Sequence, residues 1–136
     1  MLESTTQIRV RYGETDQMGF LYYGNYALYY EVGRTQMIRE LGLSYREMES
    51  AGILMPVTEL RIKYLRPARY DDLITVKTTL KEWPRDHKIT FDSALYNEQE
   101  ALLNIGATTL VFLDAASRIK IPSMPDMLAD KLKPYF

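Results

Sequence analysis

The stretch GNYALYYEVGRTQMIREL, residues 24–41, decides how the rest of the chain has to be arranged. Tyr26, Tyr29, Tyr30, Gly33, Met37, Ile38 and Leu41 recur at three- and four-residue steps, the period of an α-helix with a wide apolar arc. Gly42 is a natural C-terminal stop. A helix with so broad an apolar face needs a surface to lie on, and the flanking sequence supplies one.

Downstream, Ser44 and Glu47 form a capping box that opens a second, short helix closed by Gly52. Four alternating segments follow: Val57 to Leu65, Leu73 to Trp83, His87 to Tyr96 and Ala101 to Leu113, joined by turns such as 66–72, 84–86 and 97–100. In the second, Ile74, Val76, Thr78 and Leu80 oppose Thr75, Lys77, Thr79 and Lys81, the pattern of a strand with one buried face. The tail carries Pro122 and Pro125 and one helical turn near Asp126–Leu132. Upstream, Thr5 to Tyr12 alternates as well, so a first strand precedes the long helix. The order predicts an α+β chain, a five-stranded antiparallel sheet wrapped around one central helix, as a single domain over residues 1–136. A long sheet edge is ready to pair, so a homodimer or homotetramer is expected.

Composition excludes several classes of function. The chain has 46% hydrophobic and 26% charged residues, which is globular composition. Its 17 basic and 18 acidic residues leave a formal charge of −1, without the basic excess that nucleic-acid binding needs. There is no cysteine and one histidine, His87, so thiol nucleophiles and Cys- or His-rich metal sites are out, and neither metal nor cofactor is expected. The N-terminus reads without a signal peptide, and no apolar run approaches the ~20 residues of a membrane span. A cytoplasmic location follows as the expectation. Of 11 tyrosines, five fall between Tyr22 and Tyr30, a density suited to the border of a core and a polar site, or to an interface.

Chemistry concentrates in the segment from Tyr12 to Tyr26, where a carboxylate and two glycines precede the long helix. A helix start offers free N–H groups and the positive end of its dipole to an anion or a polarised carbonyl. Asp16 beside that terminus would pair a nucleophile or base with an oxyanion donor. An Asp before a helix is more often a cap or turn residue.

Asp16, Gly19, Tyr22, Tyr23, Asn25 and Tyr26 match, in order and spacing, a known pattern: Asp, Gly three residues on, then a Tyr- or His-bearing segment ending in Asn-Tyr at a helix start. The chain thus resembles the acyl-CoA thioesterases of the 4-hydroxybenzoyl-CoA thioesterase family, including the YbgC-type enzymes, over about residues 5 to 122. Tyr64, the turn Pro67 to Asp72, and Lys81-Glu82-Trp83 add to the likeness. The resemblance implies the hotdog fold and hydrolysis of an acyl- or aroyl-CoA to free acid and CoA. It makes Asp16 the catalytic carboxylate, attacking the carbonyl or activating water, and the backbone N–H of Tyr23 the carbonyl-polarising donor. Many YbgC-type members carry His where this chain has Tyr23; the aryl-type members carry Tyr.

Gly19, Gly24 and Asn25 are the substrate-side residues of the same motif, with Asn25 also suited to capping the helix through its side chain. In the aryl-type members the turn after Trp83 is basic. Arg85 and Lys88 fall there and are the expected contacts for coenzyme A phosphates, with Lys63 and Arg66 as alternatives. Glu31 is the alternative carboxylate, although its spacing to Arg34 reads as a helix-surface ion pair. Two other functions share these features: an acyl-thioester hydratase or dehydratase, and a non-catalytic acyl-thioester-binding module. Hydratases of this fold use a His, and His87 lies outside the motif; a binding module has no use for Asp16.

Overall fold

The computed structural model describes all of residues 1–136. The alternating segments form the five-stranded antiparallel sheet, in the order β1 (Leu2–Arg9), β4 (Leu73–Leu80), β5 (Lys88–Tyr96), β6 (Leu102–Val111), β3 (Val57–Tyr64). The long helix α1 (Tyr26–Glu40) lies on its concave face, entered through a 3-10 turn at Tyr23–Asn25. This is the hotdog arrangement. No helix is long and apolar enough to cross a membrane.

Local signals behave as their chemistry demands. In β4 the inward residues Ile74, Val76, Thr78 and Leu80 are buried, and the outward ones are half-exposed. The Ser44 hydroxyl accepts the Glu47 amide at 3.0 Å to open α2 (Tyr45–Ser50), and Gly52 follows at φ 86°. A third helix, α3, spans Asp126–Leu132. β1 runs from Leu2 to Arg9 instead of from Thr5 to Tyr12. The turn bonds Val10 N–H to Asp72 O and Asp71 N–H to Val10 O, at 2.9 and 3.0 Å, take the chain out of the ladder. Tyr12 then enters a 3-10 turn, exposed, with its ring edge-on to Tyr70. A two-residue pairing of β2 (Ile53–Leu54) with β7 (Leu113–Asp114) was not legible in the sequence.

The core has two parts, one under each half of α1. Met37, Ile38 and Leu41 pack with Leu80, Phe91, Leu110 and Phe112, closed over by Met48 of α2 and by Leu128 and Leu132 of α3. Tyr26, Tyr29 and Tyr30 pack with Val10, Ile74, Val76, Leu95 and Leu103. Between them Gly33 lets the helix ride close to the sheet: a Cβ there would stand 2.4 Å from Thr78 Oγ1 and 2.7 Å from Val76 Cγ1. The helix packs on β1, β4 and β5. Beyond its reach, the inward-facing side of edge strand β3 is open, with Leu60 and Tyr64 exposed.

Candidate active site

The Tyr12–Tyr26 segment folds back on itself ahead of α1. Asp16 N–H donates to Phe20 O at 2.9 Å and Gly19 N–H to Asp16 O at 3.0 Å, closing a turn that Gly19 completes at φ 80°. The Asp16 carboxylate takes part: Oδ1 accepts the amides of Met18 and Phe20 at 2.9 and 3.2 Å. The turn role thus falls on one oxygen, while Oδ2 accepts no hydrogen bond from the chain.

Asp16 and Tyr23 line the same open cleft, about 250 Å³ in volume, between this loop and the residues after β3. Phe20, Tyr26, Tyr64 and Arg66 are among the other residues of its wall. The tyrosines touch in series: ring centroids of Tyr23 and Tyr64 are 6.3 Å apart, those of Tyr64 and Tyr26 5.4 Å. Tyr64 donates its hydroxyl to Tyr23 O at 3.1 Å, and the Tyr26 hydroxyl accepts the Ala68 amide at 3.2 Å. Burial pushes the Tyr26 phenol above its ordinary range, against the Ala68 bond, so it stays protonated.

Turn and cap hydrogen bonds engage the amides of Leu21, Tyr22 and Asn25, to Ala68 O, Glu14 O and Tyr22 O, and leave out those of Tyr23 and Gly24. As the first residues of a helical turn, these two have no carbonyl one turn back to reach. Asp16 therefore shares a cleft with a helix start.

Gly19, Gly24 and Asn25 do not line the cleft. Gly24 is small because a Cβ would stand 2.7 Å from the Tyr22 ring. Asn25 does not cap α1: its Nδ2 donates to Glu14 O at 2.9 Å, tying helix to loop. Glu31 is exposed and accepts the Thr35 hydroxyl at 3.0 Å instead of pairing with Arg34, which is buried with its Nε unpartnered. Arg85 and Lys88 line a separate hollow of about 340 Å³ beside Trp83, and His87 precedes β5, away from the cleft wall. A roomier hollow, about 480 Å³ on the outer sheet face, is rimmed by Arg61, Lys63, Lys77 and Lys81; its one carboxylate, Asp92, faces Lys81 at 3.7 Å. It offers neither a free carboxylate nor a helix start, whereas the smaller cleft has both.

One residue of the site carried no role in the sequence reading. Glu14 accepts the Tyr29 hydroxyl at 2.8 Å and the Arg11 amide at 2.9 Å. Burial would raise its carboxyl pKa, but these bonds and the Arg11 guanidinium outweigh that and hold it below the usual range. The three-residue step from Arg11 to Glu14 is the one available signal in the sequence, and surface ion pairs share that spacing.

A family model described as the thioesterase-like superfamily matches residues 10–132. YneP of Bacillus subtilis is 40% identical over 94 residues, 69% of this chain and 67% of YneP. The acyl-CoA thioester hydrolase YbgC of Escherichia coli O157:H7 is 27% identical over 126 residues, 93% of this chain and 92% of YbgC. Among solved structures, a DHNA-CoA thioesterase from Staphylococcus aureus is similar at a TM-score of 0.90 with 35% identity, covering 99% of this chain and 92% of that one. The sheet, the helix and the loop before it are thus held in common along nearly the whole length, and the chain belongs to the thioesterase-like superfamily.

Proposed function

We propose that the cleft hydrolyses the thioester of an acyl- or aroyl-CoA, with Asp16 as the reacting carboxylate and the Tyr23 amide as the donor to the carbonyl oxygen. One observation carries this reading: Asp16, with Oδ1 held in its turn and Oδ2 free, shares a cleft with the start of α1. Negative charge that develops on the thioester oxygen would meet backbone N–H and the positive helix end. The carboxylate either attacks the carbonyl and expels CoA as its thiolate, leaving an acyl-enzyme anhydride that water hydrolyses to the acid, or takes a proton from a water that adds to the carbonyl and displaces the CoA thiolate directly. Rings on the wall favour a flat aromatic acyl group over a long chain. Arg66 is the cation of the wall and meets the CoA phosphates; Arg85 and Lys88 serve only where a second copy brings their hollow to the cleft.

The test is free-thiol release from short-chain, long-chain and aromatic CoA thioesters. Asp16→Asn should cut turnover by about 10³-fold or more while fold and substrate binding persist. Activity within about tenfold of wild type would transfer the role to Glu31. A wild-type protein silent across the panel would favour a binding module.

The working unit is a homodimer or a dimer of dimers with the cleft at a subunit junction. Open apolar side chains on β3 (Leu60, Tyr64) and α1 (Leu28, Val32), together with the exposed tyrosines beside the cleft, support it. A fully active monomer by light scattering at micromolar concentration would overturn it.

A further inference from the structure

Several of the hydrogen bonds that hold the Asp16 loop against the head of α1 converge on a residue outside the cleft. Glu14 stands two residues before Asp16, its side chain 12% exposed, and the cleft wall does not include it. Its Oε1 accepts from two sides, the Tyr29 hydroxyl on α1 and the Arg11 amide on the incoming chain. Its carbonyl accepts from two more, the Tyr22 amide and Asn25 Nδ2, each at 2.9 Å. Tyr22 immediately precedes Tyr23, and Asn25 is the last residue before α1. Tyr29 itself is 2% exposed, packed in the core, so the hydroxyl that Glu14 grips belongs to a rigid element.

We propose that Glu14 is a positioning residue, one that sets the spacing between the Asp16 carboxylate and the Tyr23 amide by fastening the loop to the second turn of the helix. The inference rests on the reading of Asp16 and Tyr23 given above. Two groups that act on the same thioester, one on a loop and one on a helix, need a fixed separation, and a misplacement of about 1 Å can cost about 10²-fold in rate. The side-chain bond to Tyr29 ties the loop to the helix body, and the carbonyl bonds tie it to the helix start. Without the carboxylate, the Tyr29 hydroxyl is left buried with no acceptor, and only the carbonyl arm remains.

The experiment compares wild type with Glu14→Gln, Glu14→Ala, Tyr29→Phe and the Glu14→Ala/Tyr29→Phe double variant, below the melting temperature of each. Turnover and backbone hydrogen exchange are both measured. Glu14→Ala should lower kcat about 100-fold with KM within about threefold. Tyr29→Phe should lower kcat in the same sense, and the double variant should be no slower than Glu14→Ala, because both remove one shared bond. Gln keeps an acceptor for Tyr29 and Arg11 and should stay within about tenfold of wild type. Amides of Met18, Phe20 and Tyr22 should exchange at least about tenfold faster in Glu14→Ala, while those of β5 and β6 hold.

Unchanged exchange at those three amides overturns the proposal, as does independent, additive loss of kcat in the double variant. Should Glu14→Ala fail to fold, Tyr29→Phe removes the same bond with one oxygen and decides alone. Should Asp16→Asn prove active, the reading of the carboxylate fails by itself, and the exchange data still decide whether Glu14 holds the loop.

Discussion

The two halves of helix α1 are packed by different physics. Its C-terminal end is packed mainly by hydrocarbon: Met37, Ile38 and the following Leu41 meet Phe91, Leu110 and Phe112, α2 and α3 close over them, and Arg34 and Thr35 are the polar side chains buried in that half. Its N-terminal half is built of tyrosines whose hydroxyls each bond a named partner, Tyr26 with the Ala68 amide, Tyr29 with Glu14, Tyr30 with Asn104 Oδ1. Apolar contacts are non-directional and add stability; hydrogen bonds are directional and fix where atoms sit. The lesson is a division of labour along one helix, with stability at one end and geometry at the other. Gly33, pressed against Thr78, marks the boundary.

That division can be broken, and the largest test is at the dry end. Phe91→Ala should cost ~3–5 kcal/mol of stability in denaturant titration and leave kcat per folded molecule unchanged. A drop in kcat beyond about tenfold in the folded fraction would show that the ends are not separable. At the other end, Gly24→Pro removes an amide beside Tyr23, disfavours helical geometry at Tyr23 and presses on the Tyr22 ring. It should lower turnover at least ~10²-fold, the usual effect of losing an oxyanion donor. Near-normal rates would move the carbonyl donor elsewhere.

At the boundary, Gly33→Ala should cost ~1–3 kcal/mol, because helix and sheet must part to admit the methyl group. A neutral effect on the melting transition would mean that α1 slides freely on the sheet. The smallest effect is expected for Tyr23→Phe, which keeps ring and backbone and should stay within about tenfold in kcat. A hundredfold loss would make the phenol itself an acid, in the place where YbgC-type enzymes carry histidine.

Legibility in the sequence follows the same lines. Alternation in 73–80 located a buried strand face, and the three- and four-residue steps of 24–41 located the helix. Both signals are carried by neighbours in the chain. Leu60, Ile62 and Tyr64 alternate just as clearly, yet Leu60 and Tyr64 are exposed because β3 is placed at the sheet edge, past the helix. Glu31 and Arg34 have ion-pair spacing, yet Arg34 turns inward and Glu31 takes Thr35 instead. Asp16 and Tyr23 could be singled out together because they lie seven residues apart in one recognisable segment.

The sequence by itself determined the long helix and the five long strands, the turn that holds Asp16 and the helix start beside it, because periodicity, caps and glycines act over a few residues. Only the tertiary structure decided which of these share a surface. Strand order carried Tyr64 and Arg66 to the Asp16 loop, left Arg85 and Lys88 in a hollow of their own, and set Tyr29 of α1 against Glu14. Such meetings join residues 15 to 50 positions apart. They depend on how a twisted sheet wraps its helix, and no local pattern encodes that.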